Sequence, residues 1–226
     1  MTKSEMSDAG ISREIRNSDL TLIVSSFAGF QGRTTNSSQA VARRFAEEAR
    51  SHGCRSPVEI TLQVVWDEDQ EAVRRHISRA AASHPGTRIE WIAFGQGTAG
   101  FQMETSARNA RNVTLADNAG QLPGQVSPVT GRLVSTWNKK EGSNELRSDP
   151  LDTRRITGAM KIPESADAGQ YLCESILYEL LDQSKSRTPD NHLDAGRFFH
   201  TPFAPSHTET DDFVRKLARV LFAGRR

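Results

Sequence analysis

What most constrains this chain is a regular alternation of short apolar runs and amphipathic stretches between residues 20 and 97. Leu20 to Ser25, Leu-Thr-Leu-Ile-Val-Ser, is a β-rich run of the kind that forms a buried strand. Ser37 to Ser51 follows as a helix, with Asn36 or Ser37 as its cap and Val41, Phe45 and Ala49 on its inner face. Val58 to Val65 alternates as a strand. Asp67 to Ser83 is a charged helix with Val73, Ile77 and Ala80–Ala81 inward, and Ile89 to Phe94 is a third strand that ends in Gly95-Gln96-Gly97. The order β-α-β-α-β with short connections requires parallel strands whose crossover helices cover the sheet. The expected fold is an α/β, three-layer α/β/α sandwich with a mostly parallel (mixed) twisted central sheet. In such folds sites gather at the carboxyl ends of strands, where glycine-bearing loops 29–32 and 95–100 both lie.

The remainder is less regular. Asn112 to Lys140, with Pro123 and Pro128, reads as an extended excursion containing one strand, Leu133 to Trp137. Gly142 to Pro150 is a polar loop and Leu151 to Met160 a short helix. Ser184 to Leu193 is a polar linker. Gly196 to His200 is a strand stopped by Pro202 and Pro205, and Asp211 to Phe222 is a final helix capped by Thr210 or Asp211. Residues 1–18 are a polar, aperiodic extension, and 19–226 form a single α/β domain. A hydrophobic content of 36% fits polar insertions around a compact centre.

Charge and cysteine usage exclude several functions. A formal net charge of +1 gives no electrostatic case for nucleic acid or an anionic membrane as main partner. No apolar run is long enough to span a bilayer, and the first residues lack the apolar core of a signal peptide, so a cytoplasmic protein is expected. The two cysteines, Cys54 and Cys173, form no disulfide framework and have no metal-ligand spacing; neither metal nor cofactor is expected.

Cys173 is nevertheless the most suggestive residue. The stretch from Ser165 to Leu181 reads as a tight Asp167-Ala-Gly169 turn opening into a helix, with Leu172, Ile176, Leu177, Leu180 and Leu181 facing a core. Cys173 falls in the first turn, where free N–H groups and the helix dipole stabilise an anion and favour a thiolate nucleophile. A small buried apolar cysteine is the competing reading. His200 ends a short apolar strand, and Glu104 follows the third strand's glycine loop. A thiol, an imidazole and a carboxylate are the parts of a cysteine hydrolase, although spacing alone does not bring them together. Gly95-Gln96-Gly97-Thr-Ala-Gly100 suggests a nucleotide loop instead, but it lacks the P-loop lysine and the dinucleotide spacing.

Four blocks resemble the pyroglutamyl peptidase I, or pyrrolidone-carboxylate peptidase, family of cysteine peptidases. They are Ser26-Phe27-Ala-Gly-Phe30-Gln-Gly32-Arg-Thr-Thr-Asn36; Gly95-Gln96 followed by Glu104-Thr-Ser-Ala107-Arg-Asn109 and Asp117-Asn118-Ala-Gly120; Asp167-Ala-Gly169-Gln-Tyr171-Leu-Cys173; and Phe198-Phe-His200-Thr-Pro202-Phe. The resemblance implies removal of an N-terminal pyroglutamyl residue from peptides. Cys173 would be the nucleophile, His200 the general base and acid, and Glu104 the residue that orients the imidazole. Phe27 and Phe30 would clamp the lactam ring, with Asn36, Gln96 and Tyr171 around it; a flat, uncharged ring suits aromatic faces and a few fixed polar groups. Tetramers, common in the family, are implied as well. Departures are visible. The glycine loop lacks the family's arginine near the nucleophile, and Glu174 places a carboxylate beside the sulfur, which opposes ionisation of a thiol. A weakened or inactive relative that binds peptide N-termini is therefore the alternative.

Overall fold

The structure, a computed structural model, describes residues 19–54, 56–66, 69–97, 100–127, 131–186 and 193–222. The extension expected at 1–18 and most of the expected linker lie outside them. The first half follows the alternation read from sequence: β1 (Leu20–Phe27), α1 (Ser37–Ser51), β2 (Val58–Leu62), α2 (Asp69–Ser83) and β3 (Arg88–Gln96). Then come β4 (Gln102–Glu104), β5 (Ser106–Arg108), β6 (Glu145–Arg147), α3 (Pro150–Met160), β7 (Glu164–Ser165), α4 (Leu172–Lys185), β8 (Leu193–Thr201) and α5 (His207–Phe222).

Six strands form one sheet in the order β2-β1-β3-β8-β4-β7, while β5 and β6 pair separately. β2, β1, β3 and β8 are parallel, and β4 runs antiparallel to β8. The central strands are apolar throughout because both faces are covered. Alternate residues enter different cores. Ile23, Trp91 and Phe198 pack with α2 and α4 through Val73, Ile77, Ile176 and Leu180. Val24, Ile92 and Phe199 pack with α1, α3 and α5 through Phe45, Ile156 and Phe213. This is the α/β/α sandwich with a mixed, mostly parallel sheet expected from the sequence.

Several elements differ from the sequence reading. Leu133 to Trp137 forms no strand; Leu133 makes an isolated bridge to Val126, and Trp137 is exposed. The polar loop at 142–150 contains β6, whose Leu146 pairs with buried Ala107. α5 begins four residues before the expected Asp211, because Ser206 and Glu209 cap it: the Glu209 carboxylate accepts from the Ser206 N–H at 2.8 Å. β1 runs two residues past the expected end at Ser25, so Phe27 is its last residue.

Candidate active site

The helix that carries Cys173, α4, starts where Gly169 and Gln170, both at positive φ, turn the chain after β7. Tyr171 is the N-cap in extended backbone, and no side chain caps the helix. The first-turn N–H groups, those around partly exposed Cys173, are thus not taken by a cap. Glu174 does not act as a charge beside the sulfur, as the sequence suggested. It is fully buried, and one carboxylate oxygen accepts from the Arg108 backbone N–H (2.7 Å) and Arg108 Nε (3.1 Å). Its other oxygen accepts from the Gln170 N–H, so its charge is compensated and ties the turn to β5.

β8 carries His200 at its carboxyl end, and antiparallel β4 returns along it with Gln102 opposite His200 and Glu104 two residues on, opposite Phe198. The result is a 2.6 Å contact between His200 Nδ1 and Glu104 Oε1. Gln102 Nε2 donates to the same oxygen at 2.8 Å. Glu104 is wholly buried, and its Oε2 has no hydrogen-bond partner among the described residues. Burial alone would lower the basicity of His200, but hydrogen bonds and charge from Cys173 and Glu104 outweigh it and push the imidazole up to about 10. With Nδ1 engaged, Nε2 is left for the sulfur.

Two glycines make the approach possible. Gly95 lies opposite His200 in the β3–β8 ladder, and a Cβ there would sit 2.6 Å from Phe198 Cζ and 2.9 Å from Cys173 Sγ. At Gly97 a Cβ would lie 3.0 Å from His200 Cβ. The carboxyl end of β3 and the residue after it therefore clear space for the sulfur and the imidazole.

Cys173 forms part of the wall of a cavity of about 200 Å³ that Phe27, Phe30, Asn36, Gln96 and Tyr171 also line. All five residues expected on the substrate side meet there. Phe30 packs on Tyr171 (ring centroids 5.0 Å apart), and Trp66 meets Tyr171 edge-on at 4.9 Å. Phe27 packs instead on Phe198 at 6.3 Å. Gln96 accepts weakly from the Ser37 N–H (3.4 Å), and its Nε2 donor has no partner among the described residues. Asn36 is already committed. Its Oδ1 accepts from the Ser38 N–H and hydroxyl, and its Nδ2 donates to the Ala28 carbonyl, so it braces the aromatic loop. Asn118 does the same from the other side, donating to the Gly29 carbonyl at 2.7 Å. Asp117 accepts from the Trp66 N–H at 3.0 Å.

Other wall residues were not anticipated, among them Val64 and half-exposed Phe203. Phe203 ends the block that holds His200, which was the available signal. Arg111 was missed too. It is buried, its guanidinium lies 5.3 Å from the Trp66 ring centre, and it contacts Asn138 Oδ1 and, at 3.4 Å, Ser175 Oγ. A cation thus stands beside α4, the helix of Cys173, although the glycine loop supplies none. No group of three or more His, Cys, Asp or Glu among the described residues is placed to hold a metal ion. Among the described residues no helix is long and apolar enough to cross a membrane.

Comparison with known proteins gives one consistent direction. No protein-family model matches the chain. A curated relative from Enterococcus faecalis, pyrrolidone-carboxylate peptidase, is 23% identical over 190 residues, covering 84% of this chain and 81% of the relative. The crystal structure of pyroglutamyl peptidase I from Bacillus amyloliquefaciens superposes with a TM-score of 0.64 at 21% identity, over 92% of this chain and 95% of that one. Pyrrolidone carboxyl peptidase from Thermococcus litoralis gives 0.59 at 17% identity, over 89% and 92%. The chain shares the fold of these proteins, which are the ones its sequence blocks resemble.

Proposed function

We propose that the chain is a member of the pyroglutamyl peptidase I family of cysteine peptidases and hydrolyses the bond after an N-terminal pyroglutamyl residue. One observation carries the reading: a thiol, an imidazole and a buried carboxylate stand in series at the wall of a small aromatic cavity.

The lactam ring enters the cavity between Phe30, Tyr171 and Phe27, and the Gln96 amide supplies a donor to its carbonyl. His200, its Nδ1 held by Glu104, keeps the thiol's proton while the sulfur attacks the pyroglutamyl carbonyl carbon. The oxyanion that forms faces the uncapped first-turn N–H groups of α4. As the tetrahedral species collapses, His200 gives its proton to the departing amine, leaving a pyroglutamyl thioester on Cys173. Water, deprotonated by His200, then releases pyroglutamate and the free thiol.

Glu104 makes the cycle possible by fixing one ring orientation and balancing the imidazolium charge in a buried site. Arg111 offsets negative charge on the nucleophile's side. Incubation with a pyroglutamyl aminocoumarin amide under reducing conditions tests the reading. Turnover that disappears in Cys173→Ala supports it. Binding of pyroglutamyl peptides without cleavage by the wild type would identify a peptide-binding relative instead.

A further inference from the structure

We infer that the groove leading out of the aromatic cavity is a leaving-group subsite selecting pyroglutamyl peptides with a carboxylate just beyond the scissile bond. This rests on the peptidase reading above and specifies its substrate class. A second cavity of about 530 Å³ adjoins the first, and Arg33, Asn36, Gln96 and Phe203 line both. A ring held against Cys173 fills the smaller space, so the remaining peptide must leave across this shared rim. Beyond it lie the first turns of α1 and the chain that follows His200, from Phe203 to Asp211. A peptide whose amine is protonated by His200 is thereby led along this surface.

The charges of the groove are unbalanced in a specific way. Three arginines, Arg33, Arg43 and Arg44, face two carboxylates, Glu47 and Asp211. Arg44 alone engages both acids, at 3.1 Å to Glu47 and 2.7 Å to Asp211, and Arg215 adds a second cation at 3.4 Å from Asp211. Arg33 and Arg43 have no carboxylate partner among the described residues. Arg33 is held at the rim by the Phe203 ring, its guanidinium 5.3 Å from the ring centre. A further cavity of about 860 Å³, at the start of β8, is different. Its arginines Arg88, Arg147, Arg155 and Arg197 are each paired with a carboxylate, and the cation left without an ion pair among the described residues is an ammonium, Lys185, rather than a guanidinium. The groove beside the cleavage site thus presents two guanidinium groups without a carboxylate partner among the described residues to whatever follows pyroglutamate, and carboxylates are their natural partners.

The carboxylate can be an Asp or Glu side chain at the first or second downstream position, or the free C-terminus of a pyroglutamyl di- or tripeptide. A matched peptide series separates these sources: pyroglutamyl-Glu-Ala amide, pyroglutamyl-Ala-Ala free acid, pyroglutamyl-Ala-Ala amide and pyroglutamyl-Lys-Ala amide. Each is assayed for kcat/KM, with the aminocoumarin amide as an uncharged reference. Exposed ion pairs are individually weak, so the wild type is expected to favour the carboxylate peptides over the lysine peptide by about three- to tenfold. The preference should shrink at about 0.5 M salt, where such contacts are screened. Arg33→Gln combined with Arg43→Glu should level or reverse the order, with thermal melting confirming that the variant is folded. Equal rates across the series with the aminocoumarin amide still cleaved would overturn the subsite alone, as would a preference unchanged in the double variant. Failure to cleave any member, the reference included, would overturn the peptidase reading and this inference with it.

Discussion

The two cysteines show how far environment, rather than residue type, sets chemistry in this fold. Cys54 follows the carboxyl end of α1, where a helix dipole is negative, and its own N–H is spent on the Ala49 carbonyl. It is 1% exposed and packs among the residues under α1 and α5. Burial pushes its thiol up to about 11, only partly offset by backbone hydrogen bonds. Cys173 occupies the opposite situation: the amino end of α4, partial exposure, a cavity beside it and an imidazole within hydrogen-bond reach. Cys54 has the surroundings of a small apolar core residue, and Cys173 has those that the proposed nucleophile needs.

Cys173→Ala should lower kcat/KM for a pyroglutamyl aminocoumarin amide by about 10³-fold or more, as loss of a catalytic nucleophile does. Cys54→Ala should leave it within about twofold while costing roughly 1 kcal/mol in chemical denaturation, the usual scale of a small core truncation. Next, Glu104→Gln should reduce kcat by about 10²- to 10⁴-fold with little change in KM, because an orienting carboxylate acts mainly in the transition state. Limited alkylation with iodoacetamide, read by peptide mass mapping, should label Cys173 at least about 10²-fold faster than Cys54, which reacts only after unfolding. Gly95→Ala should cost about 1–3 kcal/mol, the range for overpacking a core, and should depress kcat by displacing the sulfur from His200.

The smallest effect expected is on pH and stability. The imidazole of His200 is more basic folded than its ordinary value near 6.5, so its contribution is complete below that pH and is lost as pH rises through about 10. Wild-type Tm should therefore decline over this window, and the decline should flatten in His200→Gln. Cys54 titrates near the alkaline end for a different reason, burial alone, so Cys54→Ala should leave the slope below pH 9 unchanged.

Much of the architecture was legible because its central strands and helices are long enough to show a period. The helix at Ser37–Ser51 falls on the predicted bounds, since Asn36 provides a capping box and Val41, Phe45 and Ala49 mark the inner face. The short strands β4, β5 and β7 escaped, because two or three residues carry no period. Leu133–Trp137 misled for the opposite reason: apolar letters without a buried face. The aromatic cavity was legible through its motif blocks, which named Phe27, Phe30, Gln96 and Tyr171. Arg111 was not, because letter spacing directs attention to the glycine loop, whereas what distinguishes this arginine is burial beside Trp66 and α4. The compensation of Glu174 by Arg108 is likewise a three-dimensional fact, joining residues 66 positions apart.

The proposed reaction requires the Cys173 sulfur to take up the acyl group. Mixing the protein with excess pyroglutamyl ester, quenching in acid within milliseconds and weighing the intact protein tests this directly. The expected result is a transient adduct of one pyroglutamyl group that maps to Cys173, is absent from Cys173→Ala and persists in Cys54→Ala. Burst-phase product release without any adduct on Cys173, or the adduct on another residue, would contradict it.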